Sequence, residues 1–283
     1  MYVREEGSGP DVLFLLHGLG DHSYAFRHAI GPLARAGWRV IAPDLPGFGR
    51  SPKPRAVLTL DGQAAVLERI LEERAIPRAV FLGHSLGASL AIRMRASRAA
   101  RVRALVLCGG GFYRFRRPLS HRLLQIPGLG EAIGLFRGPR LIRWMAEEGA
   151  ERPLGRLPDS WVSEHWEPIR SWDGWRSLVG TIRSCSSARA MAESERDLLS
   201  MPPCPLLYIW GERDGWVPLP LAGPFLEAQV ARMTAAGQAA RIAIVPGAGH
   251  APHEERPGEF VREVVSFLAP LRTVSHAGGS AAR

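Results

Sequence analysis

The 283-residue chain has little cysteine, almost no lysine and no long apolar run. Its three cysteines, Cys108, Cys185 and Cys204, are odd in number and irregularly spaced, with no CxxC pair. That excludes a disulfide framework and a paired-cysteine metal centre, and predicts reduced thiols. Lys53 is the only lysine, so the net charge of +9 rests on arginines scattered along the chain. They are denser only from Arg101 through Arg114, Arg116 and Arg117 to Arg122, and no nucleic-acid-binding pattern accompanies them. The basic balance therefore reads as a solvated arginine-rich surface, with no nucleic acid as partner. Val12 to Leu16, the longest early apolar run, falls far short of the roughly 20 residues that span a bilayer. The first residues, Met-Tyr-Val-Arg-Glu-Glu-Gly, are polar and unlike a signal peptide. A cytoplasmic protein with no membrane span is expected.

What is present is an ordinary globular composition, 46% hydrophobic and 22% charged. The length suits one large core with an insertion, and such a core buries enough apolar surface to need neither disulfides nor metals. Short apolar runs alternate with amphipathic stretches. Val12–Leu16, Trp38–Ala42, Ala79–Leu82 and Ala104–Leu107 read as strands. Tyr24–Ala36, Leu58–Glu73 and Ser85–Ala96 read as the helices between them. Strands joined by helices imply right-handed crossovers and a mostly parallel sheet with helices on both faces. After Gly111 the rhythm breaks. Residues 112–200 are helix-like, interrupted by Gly-Pro steps, and carry Trp144, Trp161, Trp166, Trp172 and Trp175, five of the eight tryptophans. The strand pattern returns at Pro205–Trp210 and Arg241–Val245, and Glu259–Leu268 closes as an amphipathic helix. The expected domains are a core of 1–111 and 201–272, a helical insertion of 112–200, and a disordered Gly/Ala/Ser-rich tail of 273–283. Met1 stands so close to the first core strand that little room for an antiparallel lead-in hairpin is expected.

Gly83-His84-Ser85-Leu86-Gly87 falls between a predicted strand and a predicted helix. A serine at the tip of such a turn has strained backbone angles that lift its hydroxyl clear of the sheet. Glycines two residues to either side let strand and helix approach, and the helix N-terminus beneath offers free N–H groups to an oxyanion. The bare five-residue string is common by chance; its strand–turn–helix context gives it weight. The competing reading is a tight turn with an incidental serine.

In this context the chain resembles the α/β-hydrolase superfamily over about residues 2–272. His17-Gly18-Leu19-Gly20 resembles the family's His-Gly loop. Ala42-Pro-Asp-Leu-Pro-Gly-Phe-Gly-Arg-Ser51 resembles the loop that follows, and Gly83–Gly87 the elbow. Gly211-Glu-Arg-Asp214 resembles the acid loop and Gly247-Ala-Gly-His250 the histidine loop. Five motifs in order are specific for fold and much less so for substrate. The resemblance implies Ser85 as nucleophile, Asp214 as acid and His250 as base, with an oxyanion hole from the backbone N–H groups of Leu19 and Leu86.

A serine needs an oriented base, and a buried acid holds that base's tautomer. His253 competes with His250 for the base, and Glu212 with Asp214 for the acid. After the preceding strand, where some relatives carry the acid, Cys108-Gly-Gly-Gly111 offers no carboxylate. His17 and Asp44 are expected to fix loops rather than take part in chemistry. Haloalkane dehalogenases and epoxide hydrolases of this superfamily use aspartate as nucleophile. Ser85 instead implies an acyl-enzyme and cleavage of a carboxylic ester, thioester, amide or C–C bond.

The insertion resembles the superfamily's helical cap, whose tryptophans and leucines suggest an apolar acyl or aryl group, unless the aromatics simply glue cap to core. Arg114, Arg116 and Arg117 are candidates to receive a substrate carboxylate or phosphate. The Gly-Pro-Gly segment usual after the His-Gly pair in meta-cleavage C–C hydrolases is missing from Leu19-Gly20-Asp21-His22, which favours an esterase. Acyl transfer on the same residues and a silent hydrolase-fold binding protein are the alternatives. A small-molecule substrate is the implied partner, and neither metal nor organic cofactor is implied.

Overall fold

The computed structural model describes residues 1–54, 59–111, 118–147, 157–185 and 187–272. The expected disordered tail (273–283) and Arg114, Arg116 and Arg117 lie outside the described residues. Among those described, the strands are β1 (Val3–Glu6), β2 (Val12–Leu16), β3 (Arg39–Pro43), β4 (Ala79–His84), β5 (Val102–Cys108), β6 (Leu206–Gly211) and β7 (Ala240–Val245). They form one seven-stranded sheet in the order β1-β3-β2-β4-β5-β6-β7. All neighbours are parallel except β1, which runs antiparallel to β3 with Val3 opposite Pro43 and Glu6 opposite Val40.

This edge strand alone precedes β2 and pairs with β3 and not with β2, in keeping with the expectation of little room for a lead-in hairpin. Four residues suffice for it, and the return is made by Gly7 and Gly9, both at positive φ. A Cβ on Gly7 would stand 2.3 Å from the Trp38 carbonyl oxygen, so the chain turns there only without a side chain.

The continuous apolar runs are buried on both sides of the sheet. Val12, Phe14 and Leu16 of β2 face one core layer with Phe81, Leu105, Leu107 and Tyr208. Leu13 and Leu15 face the other with Val80, Leu82, Val106 and Ile209, the two-residue period of a strand dividing them. The first layer is covered by α2 (Leu60–Glu73), α3 (Leu86–Ser97) and α10 (Leu219–Ala235), the second by α1 (Ile30–Arg35) and α12 (Pro257–Leu268). The expected Tyr24–Ala36 helix is broken into a 3₁₀ turn at Ser23–Phe26 and the short α1. Pro32 accounts for the break, having no N–H for a helical bond and a ring that clashes with the carbonyl four residues back. The α10 helix went unread in the sequence because Pro218, Pro220, Gly223 and Pro224 crowd its start; the first two stand where an N–H has no helical acceptor in any case.

Between β5 and β6 the described chain is helical: α4 (Leu119–Gln125), α5 (Leu129–Ile133), α6 (Pro139–Glu147), α7 (Asp159–Ile169), α8 (Trp172–Cys185) and α9 (Ala188–Ser200). Trp175 is fully buried and donates its indole N–H to the Gly130 carbonyl at 2.9 Å, gluing this segment together. Arg93 of α3 pairs with Asp61 of α2 at 2.6 Å and with Asp197 of α9 at 2.5 Å, tying the insertion to the core. No helix among the described residues is long and apolar enough to cross a membrane.

Phe81 sits at the centre of the sheet, unexposed and stacked on Phe14 with ring centroids 5.2 Å apart. Phe81→Ala is expected to cost about 3–5 kcal/mol of stability. Urea unfolding followed by circular dichroism checks this as a lowered midpoint.

Candidate active site

Ser85 occupies the turn between β4 and α3 with φ +50° and ψ −111°, a conformation L-residues rarely adopt. The turn is held because nothing intrudes on it. A Cβ on Gly83 would lie 2.2 Å from the Gly87 oxygen, and one on Gly87 would lie 2.0 Å from the Leu16 oxygen. The Ser85 N–H donates to the Cys108 carbonyl at 2.9 Å, anchoring the elbow to β5. Leu86 is the first residue of α3, so its N–H has no intrahelical acceptor.

Asp214 follows β6 and is buried. Its Oδ1 accepts the Trp216 and Val217 N–H groups, both at 2.9 Å, which aims Oδ2 at His250 Nδ1, also 2.9 Å away. The carboxylate accepts, so Nδ1 carries the proton and Nε2 presents a lone pair. Nε2 is buried with no hydrogen-bond partner. Trp216 stacks on the imidazole at 5.1 Å and 20°. Glu255 clamps the preceding loop by accepting the N–H groups of Gly249 at 2.7 Å and Ala251 at 3.1 Å. Gly109, at φ +55°, leaves room for the ring, since a Cβ there would stand 3.3 Å from it. One cavity is lined by Ser85, His250, Leu19 and Leu86 together with the mostly apolar Leu60, Met191, Trp216 and Val217.

The structure therefore brings together the five residues singled out in the sequence and leaves the rivals outside. His253 is fully buried among Phe26, His84 and Phe260, away from Asp214. Glu212 accepts the Gly247 N–H at 2.8 Å. His17 accepts the Leu45 N–H at 2.9 Å and donates to the Gly18 carbonyl at 2.8 Å. Asp44 accepts from the Ser23 and Arg50 N–H groups, each at 2.8 Å. Of the insertion's tryptophans, Trp161 lines an adjoining cavity that shares Leu19 and His121 with the first, while Trp175 packs inside. Trp216 of the core, not an insertion tryptophan, is the indole described beside Ser85. Its place depends on the Asp214 loop, and nothing in its sequence setting signals it.

Burial governs the other histidines. His17, His22 and His84 are pushed below the ordinary imidazole value by desolvation, and His253 is pushed down to about 4 by the same cause. Desolvation also pushes the Cys108 thiol well up, so it stays protonated and inert. Asp21, His84 and His253 each bring one potential ligand atom to within 4.8 Å of the others. The Asp21 carboxylate is already committed to the His22 N–H and to His165, and we assign no metal to the group.

The comparisons fit this geometry. A sequence model described as the alpha/beta hydrolase family matches residues 13–263, and the chain belongs to that family. An uncharacterized protein of Mycobacterium tuberculosis is 29% identical, covering 99% of this chain and 84% of its own. A 2-hydroxy-6-oxononadienedioate/2-hydroxy-6-oxononatrienedioate hydrolase of a Pseudomonas species is 27% identical over 95% of this chain and 92% of its own. Among solved structures, a putative ancestral haloalkane dehalogenase superposes with a TM-score of 0.80 at 22% identity, covering 95% of both chains. That last likeness concerns the fold alone.

The neutral buried histidines set an acid limit on stability. Unfolded chain takes up protons below about pH 6.5, whereas folded His253 resists until about pH 4, so stability falls as pH drops through that window. His253→Gln should reduce the slope of unfolding free energy against pH there by up to about 1.4 kcal/mol per pH unit. Urea titrations at pH 4 to 7 measure it.

Proposed function

We propose that this hydrolase cleaves a carboxylic ester, or a related acyl bond, of a small and largely apolar substrate through a Ser85 acyl-enzyme. Ser85 Oγ attacks the substrate carbonyl carbon while His250 Nε2 takes its proton. Asp214 holds the Nδ1–H tautomer and stabilises the imidazolium. The carbonyl oxygen, now an oxyanion, accepts from the Leu19 and Leu86 N–H groups, each such donor typically contributing on the order of 10²–10³ in rate. The tetrahedral intermediate collapses, the C–O bond breaks, and His250 returns the proton to the leaving alcohol. A water molecule then attacks the acyl-enzyme with His250 again as base, releasing the acid and regenerating Ser85. The observation that carries this reading is the 2.9 Å contact of Asp214 Oδ2 with His250 Nδ1, which leaves Nε2 unpartnered at the cavity it shares with Ser85.

In the same reading residues 1–111 and 201–272 form the catalytic core and 112–200 the cap that shapes the pocket. His121, Cys185 and Met191 supply its side of the cavity, and the apolar lining suits an apolar acyl group. A second reading, C–C hydrolysis on the same residues, is favoured by the Pseudomonas relative that matches nearly end to end.

Wild type should label with a fluorophosphonate probe and hydrolyse p-nitrophenyl esters, and Ser85→Ala should do neither while folding normally. Asp214→Asn should lower kcat by about 10⁴-fold with little change in KM. If folded wild type cleaves 2-hydroxy-6-oxononadienedioate but no ester, the C–C reading replaces the first. If it neither labels nor turns over, the silent binding protein does.

A further inference from the structure

His165 lies on α7, in the helical insertion, and its side chain is 2% exposed. Its Nδ1 is 2.8 Å from the Trp161 carbonyl oxygen and its Nε2 is 2.9 Å from Asp21 Oδ1. A carbonyl oxygen only accepts, and so does an ionised carboxylate. Both ring nitrogens must therefore carry protons, making His165 a buried imidazolium paired with Asp21. Asp21 is two residues beyond Leu19, and its N–H closes the loop onto the Gly18 carbonyl at 3.3 Å. The pair thus joins the insertion to the loop that supplies one oxyanion donor in the proposed reaction. Leu19 itself lies between the Ser85 cavity and the adjoining one, where Asp21 and His165 meet.

The surroundings support the charge. Trp161 stacks on the imidazole at 3.5 Å and donates its indole N–H to Glu254 at 2.9 Å. Glu254, from α11 (Pro252–Glu255), also pairs with Arg27 at 3.3 Å. From the 3₁₀ turn and its cap, the His22 ring stands 5.2 Å and the Tyr24 ring 6.3 Å from His165, and His22 is neutral through burial. Within this group Asp21 and Glu254 are the acids that favour the charge, and Arg27 is the base already matched by Glu254.

We propose that His165 is a positioning residue for the ester hydrolysis inferred above: through its ion pair with Asp21, the insertion holds the Leu19 backbone in place for the oxyanion. The inference rests on that reading of the active site. Burial works against the cation, but the charge and hydrogen bond of Asp21, with Glu254 behind them, outweigh it and raise the His165 pKa above 6.5. The latch is therefore complete below about pH 6.5 and is lost as pH rises through the raised value. With one proton left, His165 can serve the Trp161 carbonyl or Asp21, not both.

The test is the pH profile of p-nitrophenyl ester hydrolysis by wild type, His165→Gln and Asp21→Asn, beside fluorophosphonate labelling and ¹⁵N-detected NMR of the wild-type histidines. Wild-type kcat should fall on the alkaline side. Both variants should lose that alkaline limb and show a kcat about tenfold lower at neutral pH, with KM within about twofold, because the lost contact acts on the transition state. His165 should show two protonated ring nitrogens at about pH 6, below the ordinary imidazole value. A His165 that is singly protonated there overturns the proposal, as does a folded His165→Gln enzyme with wild-type kcat and an unchanged alkaline limb. Should wild type fail to label at Ser85, the functional reading falls separately, while the NMR result still decides whether the latch exists.

Discussion

The arrangement depends on one close approach. The helix α3 starts directly against β2 and β4, with Gly87 set against the Leu16 carbonyl and Gly83 against Gly87 itself. A single methyl group at either glycine would collide with backbone, which cannot yield as a side chain could. Only at that spacing can Ser85 sit at positive φ, a strain of about 1–3 kcal/mol that the surrounding core must offset. The β5 exit is drawn in as well: Ser85 donates to the Cys108 carbonyl, and a Cβ on Gly110 would stand 2.6 Å from the Ser85 oxygen. The elbow, the Leu16–Gly18 segment and the Cys108–Gly111 turn are therefore one packed unit rather than three loops.

Around that unit, carboxylates take the place that longer secondary structure would fill. Asp44, Asp214, Glu212 and Glu255 each accept backbone N–H groups from loops at the C-terminal edge of the sheet. Hydrogen bonds to an ionised acceptor are stronger than neutral ones, and here they fix irregular backbone that no ladder could hold. The histidines divide by the same logic. Where no carboxylate is hydrogen-bonded to the imidazole, as at His253, burial pushes it towards the neutral form. Where it meets a carboxylate and a carbonyl together, as His165 does, it stays charged.

The fold sets the stage for several chemistries without choosing among them. A dehalogenase-like frame superposes closely on this chain, yet the residue at the elbow here is serine. In the reaction proposed above, a serine oxygen that forms an acyl ester, with His250 held by Asp214, follows a different path from carboxylate attack on an alkyl carbon. The nucleophile decides the class of reaction, and the pocket beside it decides the substrate.

Much of this was legible in the residue order. Short apolar runs mark strands, so β2 to β7 were placed by pattern alone, and Gly83–Gly87, Asp214 and His250 by motif and order. The illegible parts have physical causes. The edge strand β1 is short and half polar because it pairs on one side only. The α10 helix hides behind prolines that local propensity reads as a turn, although the start of a helix tolerates Pro218 and Pro220. His165 and Asp21 are 144 positions apart and belong to no local pattern. Sequence by itself determined the alternation of elements and the order in which Ser85, Asp214 and His250 follow the strands, since these rest on local periodicity and on motif. Tertiary structure alone decided which indole lines the pocket and which imidazole is paired with Asp21. Those outcomes turn on desolvation and on contacts between distant segments, and neither exists until the chain has folded.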